Sequence, residues 1–325
     1  MKIRELYEII SRISRKNLLL KKLIRSISNF EAEKDDRLSD FDFAQKQYRK
    51  FNGENLNLDN PKTYNEKLWW LKYHYRNPLQ KICSDKYMVR EYVKECGLED
   101  ILVKLKGVYD RPEDVPLEKF QDETFIKINV GSGGNILYKP NSNFDKKFFL
   151  WDFNSLIKHD CYINSREWNY KDVKPKIVCE EVLRDSEGNL PKDWKFMCFD
   201  GEPKLVFCSV GACDNSGRHS VEGQRITNVY DMEFKYLPIE SSFPTDEHAK
   251  VEKPINFDKM KLYASILSKP FPHCRVDFYN VNGKIYFGEI TFYHSGGCGN
   301  ISPIYWMNKM GEWINLDSIP NKYLI

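Results

Sequence analysis

Arg275, Asp277, Glu289 and Thr291 lie in one segment, CRVDFYNVNGKIYFGEITFYHSGG, residues 274–297. Two alternating stretches flank Asn282-Gly283, so the segment predicts a β-hairpin. Neighbouring side chains on a strand take opposite faces. Arg275 therefore shares a face with Asp277, and Glu289 with Thr291. Register decides whether these two faces coincide. A two-residue turn at Asn282-Gly283 pairs Asp277 with Gly288 and sends the carboxylates to opposite faces. A three-residue loop, Val281-Asn282-Gly283, pairs Asn280 with Lys284, sets Arg275 opposite Glu289 and leaves Asp277 diagonal. The three-residue loop is the expectation, because it makes one face of Arg275, Asp277, Glu289 and Thr291. Two carboxylates beside a hydroxyl suit magnesium, which takes oxygen ligands and leaves room for substrate phosphates. The bland alternative is a solvent-facing Arg–Glu pair, worth well under about 1 kcal/mol. Gly296, Gly297 and Gly299, with apolar flanks, favour a buried, shaped site.

A second cluster is FIKINVGSGGN, residues 125–135. Alternation puts Phe125, Lys127 and Asn129 on one face, and Ile126, Ile128 and Val130 on the core face. Lys127 then stands beside a loop of Gly131, Ser132, Gly133 and Gly134, whose backbone N–H groups can cradle phosphate oxygens. Neither the P-loop spacing nor the dinucleotide fingerprint is present. A lysine ahead of a glycine-rich surface hairpin reads equally well from this stretch alone. The third cluster, Glu180, Glu181, Asp193 and Lys195, reads either as a ribose and adenine edge or as a surface hairpin.

These side chains need a scaffold, and 325 residues suffice for two or three packed units. The 39 tyrosines and phenylalanines argue against disorder, and a net charge of +3 argues against a nucleic-acid binder. Nine cysteines, none in Cys-x-x-Cys, read as reduced thiols of a cytoplasmic protein. No stretch approaches a membrane span. Residues 1–30 are basic, with Ile3, Tyr7, Ile10 and Ile13 at helical spacing, and lack a signal peptide's apolar core. Such a helix can lie peripherally on an anionic membrane or dock on its own protein. Residues 31–60 read as a linker, and Thr63 with Glu66 as a capping box before an apolar run. A second helix is expected from Ser84 to Gly97, and past Pro175 the texture becomes strands. The division expected is a basic helical segment and linker at 1–60, a first lobe at 61–178 and a second at 179–325.

SDKYMVREYV, FIKINVGSGGN, DWKFMCFDGEPKL and RVDFYNVNGKIYFGEITF occur in that order, and together the chain resembles the ATP-grasp superfamily, in particular its TupA-like branch. The resemblance runs over about residues 63–297. It implies an α+β fold whose two lobes, with antiparallel sheets, grip ATP. Lys86 and Lys127 would meet the phosphates, with Gly131, Ser132, Gly133 and Gly134 closing over them. The backbone of Cys179, Glu180 and Glu181 would meet adenine, with Asp193 on the ribose and Lys195 beside it. Asp277, Glu289 and Thr291 would hold Mg2+, Arg275 would steady the transferred phosphoryl group, and Lys235 would be a further phosphate lysine. Threonine stands where many such enzymes have asparagine, and His294-Ser295-Gly296-Gly297 replaces a common Pro-Gly. The chemistry implied is ligation of a carboxylate to an amine through an acyl phosphate. The TupA-like branch implies an amine or amino acid joined to a sugar acid, on a small-molecule or lipid-linked saccharide acceptor, in surface polysaccharide synthesis. The rivals are a kinase acting on a hydroxyl, a glycosyltransferase-type polysaccharide protein, and a nucleotide binder without catalysis. Intact Lys127, Asp277 and Glu289 disfavour the last.

Overall fold

The computed structural model describes residues 18–210, 226–241, 243–249 and 251–325. The amphipathic run through Ile3, Tyr7, Ile10 and Ile13, and residues 211–225, lie outside the described residues. The described chain begins with helices α1 (Leu18–Asp36), α2 (Asp40–Asn52), α3 (Tyr64–His74), α4 (Leu79–Ser84) and α5 (Val89–Glu95). Next come β1 (Leu105–Tyr109), β2 (Thr124–Ile128), β3 (Ile136–Tyr138), α6 (Lys146–Ile157), α7 (Cys161–Ser165) and β4 (Ile177–Glu181). The last part holds β5 (Asp193–Phe199), β6 (Glu202–Val210), β7 (Ile226–Tyr230), β8 (Tyr236–Leu237), α8 (Phe257–Ser268), β9 (His273–Val281), β10 (Lys284–Thr291) and α9 (Ile304–Trp313).

The strands form two antiparallel sheets, one ordered β1-β4-β2-β3 and the other β10-β9-β5-β6-β7-β8. Ile126, Ile128, Ile177 and Cys179 of the small sheet meet Phe149 and Phe153 of α6 in one core. The large sheet packs against α8, and its core also takes Tyr64, Leu68 and Leu71 of α3 and Val93 of α5. Residues 61–101, assigned from sequence to the first lobe, therefore share their burial with the second sheet. Strand β4 lies in the small sheet, so the chain crosses between sheets after Glu181, beyond the 178/179 boundary. The two acidic stretches around 180 and 193 accordingly do not form one hairpin. They belong to different sheets, because β4 finds its partners in β1 and β2 and β5 in β6 and β9.

The stretch expected to be a linker holds the end of α1 and the whole of helix α2, which is capped by the Ser39 hydroxyl and ended by Gly53 at φ 79°. Phe43, Ala44 and Tyr48 of α2 are buried with Leu56 and Trp69, and that apolar face holds it in place. Helix α1 docks on the protein, with Lys21 and Arg25 pairing Asp152 of α6. The capping box of Thr63 and Glu66 forms as expected. Ser84 does not cap α5; its hydroxyl donates back to the Gln80 carbonyl while Asp85 accepts from the Tyr87 and Met88 amides. The cysteines of the described residues are free thiols, and Cys83, Cys179, Cys198, Cys208 and Cys274 are buried.

Candidate active site

The β9–β10 hairpin turns through two residues, since Val281 pairs with Lys284 and Asn282 and Gly283 have φ of 51° and 83°. The expected three-residue loop is not formed, because Asn-Gly satisfies the tighter turn, which needs positive φ at both centres. A bulge between Phe287 and Glu289 then shifts the register by one residue. Glu289 comes opposite Asp277 and Thr291 opposite Arg275. The four residues share a face after all, by a different device. The bulge falls on β10 because that strand is the sheet edge, whereas β9 pairs in unbroken register with β5 on its other side. At the bulge, a Cβ on Gly288 would stand 3.0 Å from the Asp277 carbonyl oxygen.

On this face the Arg275 guanidinium grips Asp277 with both prongs, at 2.7 and 2.6 Å, and reaches Glu289 Oε1 at 2.8 Å. The Thr291 hydroxyl donates to the same Glu289 oxygen at 3.1 Å. Lys195, directly opposite Asp277 on β5, lies 3.4 Å from its carboxylate and 2.9 Å from Asp193. Lys195 therefore belongs to the Arg275–Asp277 group as much as to Asp193. Burial alone would raise the Glu289 carboxyl, but Lys86, Arg275 and Lys195 overcome it and hold the value at about 2. Burial opposes the charge on Arg275, and the Asp277 and Glu289 carboxylates outweigh it, so the guanidinium rises above its ordinary value. His294 Nδ1 lies 3.2 Å from Arg275 Nη1, and burial followed by the Arg275 charge keeps the ring neutral. Nδ1 then accepts from the guanidinium, and the proton sits on Nε2.

Across the cleft, Lys127 projects from β2 and its Nζ lies 2.5 Å from Glu180 on β4. Lys86 is placed by the turn before α5: its backbone amide donates to the Asn129 carbonyl, and the Asn129 side-chain amide donates to the Asp85 carboxylate at 2.6 Å. Asp85 and Asn129 are both buried, so this link rigidly couples the two lysine-bearing segments. The Lys86 ammonium donates to the Gly131 carbonyl at 2.7 Å. Burial lowers its pKa while the Glu289 charge pulls it back up. The glycine loop thus begins on Lys86, and φ values of 69°, 86° and 67° at Gly131, Gly133 and Gly134 explain the glycines. A Cβ on Gly131 would meet Cys161 Sγ at 2.8 Å, and one on Gly134 would meet Leu156 at 2.7 Å. The loop is seated on α6 and α7.

Between the sheets runs a cleft lined by Val103, Phe125, Leu183, Leu190 and Tyr279, with Lys127, Glu180, Glu181 and Asp193 at its polar edge. Its apolar walls suit a flat heterocycle. Cys179 is not among its walls, because alternation turns the thiol into the small-sheet core. Lys235 is not brought to the site either. It closes the tight Asp231–Lys235 turn onto β8, the opposite edge of the large sheet from β10. Ser132 and Gly133 are exposed on the loop. Arg90, 3.6 Å from Glu180, was missed from sequence, although it stands four residues after Lys86. His294 had no signal beyond its position after the hairpin.

Asp277, Glu289 and Thr291 offer hard oxygen donors on adjacent strands, and one guanidinium nitrogen already bridges the two carboxylates at 2.6 and 2.8 Å. A cation is thus accommodated between them. No group of three or more His, Cys, Asp or Glu capable of holding a metal occurs among the described residues. That donor set fits magnesium, which keeps water and phosphate in its shell, better than a metal needing a full protein cage.

The family model for TupA-like ATPgrasp matches residues 66–315. No curated protein matches. Among solved structures the chain is similar to a D-alanine–D-alanine ligase from Bacillus anthracis, with 17% identity, 69% of this chain and 63% of that chain covered, and a TM-score of 0.40. It is also similar to one from Helicobacter pylori (11%, 77% and 69%, 0.41) and to an L-amino acid ligase from Bacillus licheniformis (12%, 66% and 44%, 0.40). The chain spans less than two thirds of the length of the B. anthracis and B. licheniformis proteins.

Proposed function

The chain belongs to the TupA-like ATP-grasp family, and from that premise we propose that it is an ATP-dependent, ADP-forming ligase joining a carboxylate to an amine through an acyl phosphate. The observation that carries this reading is the convergence of Lys86 and Lys127 with the Arg275–Asp277–Glu289 face, at the polar end of an apolar cleft. ATP would place adenine between Phe125, Leu183 and Tyr279, its ribose at Asp193, and its phosphates beneath Gly131–Gly134. Lys86 and Lys127 neutralise phosphate charge and fix the chain of phosphates in line with the acceptor oxygen. The substrate carboxylate attacks the γ-phosphorus, ADP leaves, and Arg275 steadies the transferred group. The amine then attacks the acyl carbon and phosphate departs. Asp277, Glu289 and Thr291 would hold magnesium, which when bound supplies further charge neutralisation at the phosphates. The loop seated on Cys161 and Leu156 covers the phosphates and keeps water from the acyl phosphate.

The amine or amino acid is proposed to join a sugar acid in surface polysaccharide synthesis, on a small or lipid-linked saccharide, at the cytoplasmic face of a membrane. Support for the membrane side is the exposed ridge of Leu23, Ile27 and Phe30 on α1, the helix that follows the basic N-terminal stretch in the sequence. No helix among the described residues is long and apolar enough to cross a membrane. The decisive assay incubates the full chain with ATP, magnesium, pooled amino acids and pooled uronic acids. ADP release that needs both a carboxylate and an amine is the expected result. Release with a hydroxyl acceptor alone would replace the ligase by a kinase. Pelleting with phosphatidylglycerol vesicles, lost on removing residues 1–30, tests the membrane contact.

A further inference from the structure

Glu167 lies just after α7 and takes no part in the reading above. It is partly buried, and its carboxylate has no hydrogen-bond or ion-pair partner among the described residues. It neighbours the loop that follows β10. A Cβ built on Gly296 would stand 3.7 Å from Glu167 Oε1 and 3.9 Å from Lys72 Nζ. Gly296 belongs to the loop that follows Thr291, so that loop presents bare backbone to the carboxylate. Lys72 is already engaged: it donates to the Gly296 and Ser165 carbonyls at 2.7 and 3.0 Å and lies over the Trp69 ring. It ties the loop to α3 and α7 rather than pairing with Glu167. Tyr170 feels the charges of both Glu167 and Glu289. On the other side, α7 seats the glycine loop at Cys161. Glu167 therefore stands between α7, which seats the phosphate loop, and the loop that follows β10.

An unpaired carboxylate held partly out of water favours a cationic partner. Burial pushes the Glu167 carboxyl up, with the Lys72 charge opposing, so it can both bind a cation and accept a proton. We propose that Glu167 binds the acceptor as a primary ammonium and takes its proton before amide formation. This rests on the ligase reading. One proton passes from the ammonium to Glu167, freeing the nitrogen lone pair. The nitrogen forms a bond to the acyl carbon while the carbon–oxygen bond to phosphate breaks. Phosphate leaves with that electron pair and takes up the second proton as hydrogenphosphate.

The test titrates ethylammonium chloride into the full-chain protein holding Mg·ADP, with tetramethylammonium chloride as the control that has no N–H. Chemical-shift changes in the wild type should saturate with ethylammonium only, and Glu167→Gln should weaken that binding about tenfold or more. Glu167→Ala should do the same, which guards against an unforeseen effect of the amide. Equal binding in wild type and both variants, or none in the wild type, overturns the proposal. A turnover arm uses hydroxylamine, which is neutral near pH 7 and needs no base to release its lone pair. E167Q should keep hydroxamate formation and raise KM and lower kcat for alkylamines. Equal loss with both nucleophiles assigns Glu167 a merely structural part and also overturns it. If ethylammonium binds through Glu167 but no acid–amine pair releases ADP, the ligase reading fails while the ammonium site stands.

Discussion

Glu289 is the residue on which the reacting face depends most. It accepts from Arg275 and Thr291, and the Lys86, Arg275 and Lys195 charges keep it ionised. Glu289→Gln keeps the shape and removes the charge. It should lower nucleotide turnover by roughly 100-fold or more, with an unchanged far-ultraviolet circular dichroism spectrum. Activity within a factor of a few of wild type would remove Glu289 from the machinery. Asp277 and Asn129 show how differently two such groups are readable. The acid in RVDF stands out in the sequence, while the buried Asn129–Asp85 bond depends on two segments that meet only in the fold.

Among the elements, the β10 bulge decides whether the site exists. Its extra residue, Gly288, has room for no side chain without moving the Asp277 backbone, whose carbonyl oxygen and carbon lie 3.0 and 3.3 Å from the Cβ position. Gly288→Ala should displace Asp277 against Glu289 and cost activity on the order of 10–100-fold. The thermal midpoint should change little, because the edge strand can shift. Steady-state ADP release beside a melting curve checks both halves. Gly311 on α9 makes the contrasting case, since a Cβ there would stand 2.2 Å from the Lys62 carbonyl oxygen. Helix α9 packs against the start of α3 through this glycine, and no rotamer relieves a clash with backbone. Gly311→Ala should destabilise by about 1–3 kcal/mol, read as a lower urea midpoint, and a neutral result would mean the helices can separate freely.

For the whole molecule, acid stability follows from a buried histidine two residues before Arg275 on β9. His273 is fully enclosed, donating from Nδ1 to the Cys198 carbonyl at 2.8 Å and accepting from the Tyr64 hydroxyl at 2.9 Å. Burial chiefly lowers its pKa to about 3. The unfolded chain binds this proton from about pH 6.5 downward and the folded chain does not. Stability is therefore full above that pH and falls as pH drops towards 3, by about 3 kcal/mol at pH 4.5. His294, also buried neutral, adds in the same direction. Urea unfolding between pH 7 and 4.5 should show the decline, and His273→Gln should flatten it. An unchanged slope would assign the acid sensitivity to other groups.

The sequence by itself determined what depends on near neighbours. Alternation put Arg275 with Asp277 and Glu289 with Thr291, the glycines of 131–134 marked the loop, and Thr63 with Glu66 marked a helix start. Ser39 and Gly53 could have shown α2 as well, since both are ordinary helix boundaries. Only the tertiary structure decided whether the two acidic pairs meet. Asn-Gly locally favours the tight turn, and that turn alone would part Asp277 from Glu289. The bulge that reunites them forms because β9 is held in register by β5 while β10, at the edge, is free to absorb one residue. Separation of β4 from β5, the distance of Lys235 and the approach of Glu167 to Gly296 are likewise set by which distant segments bury surface together, which no local spacing encodes.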